Sequence, residues 1–150
     1  MRLAGFSDLH GNPYACQAVL NAISKEGRLD AILAAGDLFL GGSHPLACLE
    51  MLGEAGIQAL YGNTEVYLLS PDQAPPDELH RSKWAMIQPA VFWTLEQLNP
   101  DHLRWLDSLP FERRFNPTGN SSDELLIVHA NPQDVELMIL PDEIEQKALW

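Results

Sequence analysis

The sequence predicts an α/β fold with a parallel sheet, and three observations in its first 63 residues carry that expectation. Short apolar runs at 2–7, 31–35 and 57–61 alternate with two stretches of helical spacing. Each run ends on a small or polar pair, Ser7-Asp8, Gly36-Asp37 and Gly62-Asn63. The β-α-β-α-β order that results builds a parallel sheet with helices packed on it.

The first run is a short, mostly apolar strand. A helix follows at Asn12-Pro13, with Asn as cap and Pro at the first helical position. Ala15, Ala18, Val19, Ala22 and Ile23 recur at helical spacing and predict its buried face, and Gly27 is a plausible stop. Residues 31–35 are continuously apolar, which suits a strand buried on both faces. Residues 45–54 predict a second helix, with Pro45 near its start, Gly56 just past its end, and Leu46, Leu49 and Leu52 facing inward. The run at 57–61 closes the alternation. Residues 70–77, with Pro71, Pro75 and Pro76, read as loop. Residues 77–109 read as two helices broken near Asn99-Pro100, burying Trp84, Ile87, Val91, Leu95, Leu98, Leu103, Leu106 and Leu109. An edge strand is expected at 111–115, a polar turn at 117–120, and a fourth buried strand at 125–128, ending on His129. Residues 141–149 carry a weak helical pattern.

The chain has 150 residues, enough for one domain with a real core, and 46% of them are apolar. A net charge of -12 without a Lys/Arg run weighs against a stable nucleic-acid partner. Charge alone otherwise says only that the surface is soluble. The two cysteines, Cys16 and Cys48, form no CxxC pair and read as small apolar residues in a reducing compartment. No leader-like segment opens the chain and no apolar run reaches membrane-spanning length, so no membrane and a cytoplasmic location are expected.

In parallel α/β sheets, ligands bind beyond the carboxyl ends of the strands. Asp8, His10, Asp37 and Asn63 all stand there, and His129 follows a further strand. Singly, each has a bland reading: turn Asp, cap Asn, exposed or structural His. Asp8 and His10 are two apart, and alternate side chains of an extended chain share a face. Asp37 offers two oxygens that can bridge two cations. Carboxylate, imidazole and amide oxygen together suit Mn, Fe or Zn, and Mg is acceptable to them. Two cations about 3.5–4 Å apart can clamp a phosphoryl group and activate a bridging water for in-line attack at phosphorus.

Asp8-x-His10-Gly11-Asn12, Gly36-Asp37, Gly62-Asn63 and His129, in that order, resemble the calcineurin-like metallophosphoesterases. The segments Trp93-Thr94-Leu95-Glu96-Gln97-Leu98, Leu106-Asp107-Ser108-Leu109-Pro110 and Val128-His129-Ala130-Asn131-Pro132 are similar to a bacterial branch of phosphatases and dinucleotide-polyphosphate hydrolases. The resemblance implies a four-layer α/β/β/α sandwich of two mixed sheets and flanking helices. It implies Asp8 and His10 on a first metal, Asp37 bridging both, and Asn63 and His129 on the second, with Asp37 and Asn63 serving catalysis. Asn63 would also touch substrate phosphate. The implied activity is hydrolysis of a small phosphomonoester or phosphodiester by a metal-bridging hydroxide.

Three departures accompany the resemblance. The family has a later Gly-His-x-His motif, whereas the histidines here are His10, His44, His80, His102 and His129. The expectation is therefore a partial sandwich, a single domain at 1–150 lacking its C-terminal part, with a ligand short at each metal. Unfinished strand edges then predict self-association. Thr64 stands where many members have a His, and Ala130 where a Gly is usual. Glu65 reads as an orienting group for the site, and His44 as a helix cap. The alternative function is a catalytically weak relative acting as a binding or regulatory module. A nucleotide-binding module lacks its Gly-x-Gly-x-x-Gly or Walker-type turn here, and a covalent phosphatase lacks a cationic phosphate loop around either cysteine.

Overall fold

The computed structural model describes residues 1–73, 78–137 and 139. The expected helix at 141–149 and positions 74–77 of the expected loop lie outside the described residues. The elements run β1 (Leu3–Phe6), α1 (Pro13–Ile23), β2 (Ala31–Ala35), α2 (Pro45–Glu54), β3 (Gln58–Leu60), α3 (Asn63–Leu69), α4 (Glu78–Gln97), α5 (Pro100–Asp107), β4 (Glu112–Phe115) and β5 (Leu125–Val128). Strands β1, β2 and β3 form a parallel sheet in that order, so β2 is central. Leu3 lies opposite Ala31, and Leu33 opposite Gln58. Leu33 and Ala34 point to opposite faces and are both buried, as a strand covered on two sides requires.

Helices α1 and α2 cross over between successive strands and pack on each other. Asn12 caps α1 through its side-chain oxygen, which accepts from the Tyr14 and Ala15 amides at 3.1 Å each. The helix ends at Ile23, and Gly27 turns the chain four residues later. Its buried stripe differs from expectation. It centres on Cys16, with Ala15, Val19, Leu20 and Ile23 partly covered, while Ala18 and Ala22 are exposed. Alanine is apolar enough to count toward a pattern and small enough to face water at little cost. In α2 the most buried positions are Pro45, Cys48 and Leu52, so the inner face is rotated away from Leu46.

Between the sheet and α4–α5, the loop after β2 packs Leu38, Phe39 and Leu40 into the core, with Phe39 edge-on to Trp105. Trp84, Val91, Leu98, Leu106 and Leu109 are buried as the spacing predicts. Asn99 separates the two helices by accepting from the His102 amide at 2.9 Å.

Strands β4 and β5 form a separate antiparallel ladder. Here the fourth-strand expectation needs correction. Among the described residues β5 pairs only with β4, Leu125 is 46% exposed and Leu126 to Val128 are only partly covered, so it is not a buried strand. An all-apolar tetrapeptide reports a covered face without saying how many. The second sheet is tied to the first by the Tyr61 amide donating to Pro110 and by Arg113 donating to the Ala59 carbonyl. The described helices include none long and apolar enough to cross a membrane.

Candidate metal centre

Because β1, β2 and β3 are parallel, the residues after them emerge at one edge. Three backbone hydrogen bonds zip the first two loops together: Asp8 N–H to Gly36, His10 N–H to Asp37, and Gly11 N–H to Leu38, at 2.8–3.1 Å. Asp8 and His10 do not converge by strand alternation as expected. The strand stops at Phe6, and both residues have positive φ, 58° and 48°. Asp37 has φ 56°, and these three are the only non-glycine residues at positive φ among those described. Such backbone costs about 1–3 kcal/mol per residue and persists where surroundings impose it, commonly at functional sites. Here the left-handed turns bring the side chains together.

Asp8, His10 and Asp37 each offer a ligand atom within 4.8 Å of the others. His10 Nε2 lies 3.7 Å from Asp8 Oδ1 and 3.7 Å from Asp37 Oδ2. On the opposite side of the same carboxylate, Asp37 Oδ1 lies 3.4 Å from His129 Nε2, which is 3.1 Å from Asn63 Oδ1. The structure thus brings all five expected residues together, with one Asp37 oxygen turned to each half. The halves differ in exposure. Asp8 and His10 are about half open to solvent, whereas Asp37 and His129 are nearly closed off.

Both rings are oriented the same way. His10 Nδ1 lies 2.8 Å from the Leu40 carbonyl, and His129 Nδ1 lies 2.8 Å from the Ala35 carbonyl. A carbonyl only accepts, so each Nδ1 donates and each Nε2 presents its lone pair inward. In the enclosed half, Asp37 Oδ1, Asn63 Oδ1 and His129 Nε2 are then three acceptors facing one another. Such a set has the chemistry to take a cation, and its O/N composition fits Mn, Fe, Zn or Mg rather than a thiolate-seeking metal.

Helix α3 was not foreseen as an element, and it does much of the positioning. Glu65 is fully buried in its first turn. Its carboxylate accepts from the Asp37, Leu38 and Gly62 amides at 2.8, 2.9 and 2.9 Å. The Gly62 bond is one half of a capping box, with Glu at the third helical position. Burial pushes the Glu65 carboxyl above its usual range, the Asp37 charge adds to that, and the three amides oppose it. Thr64 donates its amide and hydroxyl to Asp37 Oδ1 at 3.1 and 3.0 Å. The Glu at 65 and the Gly-Asn-Thr-Glu order were the readable signals of this cap.

Glycine is needed at two close approaches. At Gly36 (φ +86°) a Cβ would meet Gly62 N and His129 Nδ1 at 2.7 Å, and at Gly62 it would overlap Asp37 Oδ1. After His129, buried Asn131 holds the chain in a turn. Its oxygen accepts from the Gln133 and Asp134 amides, and its nitrogen donates to Leu137. Tyr67 donates to Glu136 beside Asn63, linking α3 to that turn. His44 does stand at the α2 cap position, but its side chain makes no capping bond and meets Ser43 instead.

The family model described as calcineurin-like phosphoesterase matches residues 1–150. Uncharacterized protein MJ0912 of Methanocaldococcus jannaschii is 29% identical over 145 residues, covering 95% of this chain and 56% of that protein. A metallophosphoesterase from Sphaerobacter thermophilus aligns with a TM-score of 0.64 and 29% identity, over 93% of this chain and 51% of its own. The hypothetical protein PH1004 from Pyrococcus horikoshii shares the fold, with a TM-score of 0.71 and 17% identity over 92% and 58% of the two chains. This chain therefore spans about half the length of the relatives it matches. Among the described residues its mixed α/β architecture, with a parallel sheet and five helices, matches the fold of the metallophosphoesterase neighbours. The chain belongs to the calcineurin-like phosphoesterase family.

Proposed function

We propose that residues 1–150 carry the metal-binding face of a dinuclear phosphoesterase, hydrolysing small phosphomonoesters or phosphodiesters. The observation that carries this reading is the two-sided Asp37 carboxylate, with Asp8 and His10 on one side and Asn63 and His129 on the other. Asp8 and His10 would hold one cation and Asn63 and His129 the other, with Asp37 shared between the two halves. When bound, divalent cations of the Mn, Fe, Zn or Mg class supply positive charge for the phosphoryl group and acidity for an attacking water. The chain's own contribution is orientation. Thr64 fixes the rotation of Asp37, and Glu65 fixes the backbone on which Asp37 and Gly62 sit. The carbonyls of Leu40 and Ala35 keep the two Nε2 atoms aimed inward. Asn63, at the first position of α3, hydrogen-bonds the Tyr67 hydroxyl through its side chain, and its amide would exchange that contact for a phosphate oxygen. Among the described residues each strand of the β4–β5 ladder has one unpaired edge, which supports self-association, and light scattering would detect it.

The test is Mn-dependent hydrolysis of p-nitrophenyl phosphate by the 150-residue chain, beside Asp37→Asn and with chelator. Turnover lost in both controls supports the proposal. Metal-independent turnover, or turnover unaltered in Asp37→Asn, contradicts it. No turnover above the mutant favours the catalytically weak binding module.

A further inference from the structure

We propose that Lys83, on α4, is a substrate-binding residue that grips the phosphate of a dianionic ligand, a phosphomonoester in preference to a diester. Two cavities, about 460 and 270 Å³, meet over the candidate metal centre. Asp37, Asn63 and Lys83 line both. No other lysine or arginine lines either cavity among the described residues. The first cavity also carries Asp8, His129 and Glu136. The second continues along an apolar wall of Leu40, Ile87 and Ala90. With three carboxylates lining the space, a cation from the protein adds to whatever attraction a metal supplies for an anionic substrate.

The placement of Lys83 follows from packing. Trp84 beside it is buried and stands edge-on to Tyr67 of α3, with ring centroids 5.3 Å apart. That contact anchors α4 over the helix that begins at Asn63. Lys83, Ile87 and Ala90 are then spaced along one helix face, and all three reach the second cavity. Lys83 itself is exposed and forms no ion pair with a carboxylate among the described residues, so its ammonium is available. A flexible stem with a compact charge suits a phosphate that carries more than one negative charge. A monoester or inorganic phosphate near neutral pH carries nearly one charge more than a diester, and a single ammonium discriminates through that difference.

This inference rests on the two-metal reading, and the test separates the two. Calorimetric titration of Mn, and then of inorganic phosphate and dimethyl phosphate into the Mn-loaded chain, would compare wild type, Lys83→Ala and Lys83→Arg. The expected result is Mn binding shared by all three. Lys83→Ala should weaken phosphate about tenfold, the loss of one charge-assisted hydrogen bond, and dimethyl phosphate by less than about threefold. Lys83→Arg should stay near wild type. Mn bound normally with phosphate affinity unchanged in Lys83→Ala, with equal losses for both ligands, or with no phosphate binding in wild type overturns the Lys83 role alone. Failure of wild type to bind Mn overturns the metal reading beneath it.

Discussion

Removing the Glu65 carboxylate should destabilise the chain and disorganise the centre at once. Glu65 is 0% exposed and accepts three backbone N–H bonds, from residues on two different loops. In Glu65→Ala those amides lose their partner inside the protein. A buried donor left unsatisfied costs about 1–3 kcal/mol, so three give about 3–9 kcal/mol before relaxation. Partial collapse and water entry bring the expected loss to about 3–5 kcal/mol, near the top of the range for single substitutions. Set against a total stability of about 5–15 kcal/mol, that leaves a folded but weakened protein, or none. Glu65→Gln guards against the second case. It retains the shape and one carbonyl oxygen, but its NH₂ faces amides that also donate. It should lose about 2–3 kcal/mol by the same accounting. Urea unfolding followed by circular dichroism reads the stability, and Mn calorimetry reads the centre. The expected pair of results is a lowered midpoint and weaker Mn binding in Glu65→Gln, since Asp37 loses the anchor on its backbone. A Glu65→Ala protein within about 1 kcal/mol of wild type would refute this reasoning, because it would mean the three amides find other partners.

Gly36→Ala places a methyl group against Gly62 and His129 at a backbone with φ +86°, so weaker Mn binding and a lowered melting temperature are expected by calorimetry and thermal unfolding. Cys16 and Cys48 are fully buried, and burial pushes both thiols up, Cys48 to about 12. Neither should react with a thiol reagent at pH 8 until the chain is unfolded in urea, when two thiols per chain should label. Asp134 is held below its usual range by the amides of Leu137 and Glu136. Its carboxylate therefore stabilises the turn after His129 above the ordinary Asp value, and that contribution fades as pH falls through the lowered one. The Leu137 amide resonance should move on acidification in wild type and already be displaced in Asp134→Asn.

Much of the fold could be read from the chain because its signals were local. Asn12-Pro13 and Asn99-Pro100 begin helices as their chemistry demands, and the run at 31–35 is long and apolar enough to be the central strand. The five candidate site residues were picked out by order and strand-end position, and the topology brings them close together. What stayed hidden depends on tertiary contact. Helix α3 is seven residues long, and its buried Glu65 looks like a surface residue until the loops that surround it are in place. The route by which Asp8 and His10 converge was misread, since positive φ at a non-glycine residue leaves no mark in composition. Lys83 lies beyond the motifs altogether, and only the packing of Trp84 on Tyr67 shows where it goes.

The most direct test of a two-metal centre bridged by Asp37 is electron paramagnetic resonance of the chain titrated with Mn. Two Mn ions per chain with the multiline signal of an exchange-coupled pair is the predicted result, reverting to isolated-ion spectra in Asp37→Asn. A single uncoupled Mn in wild type, or a coupled pair that survives Asp37→Asn, would contradict it.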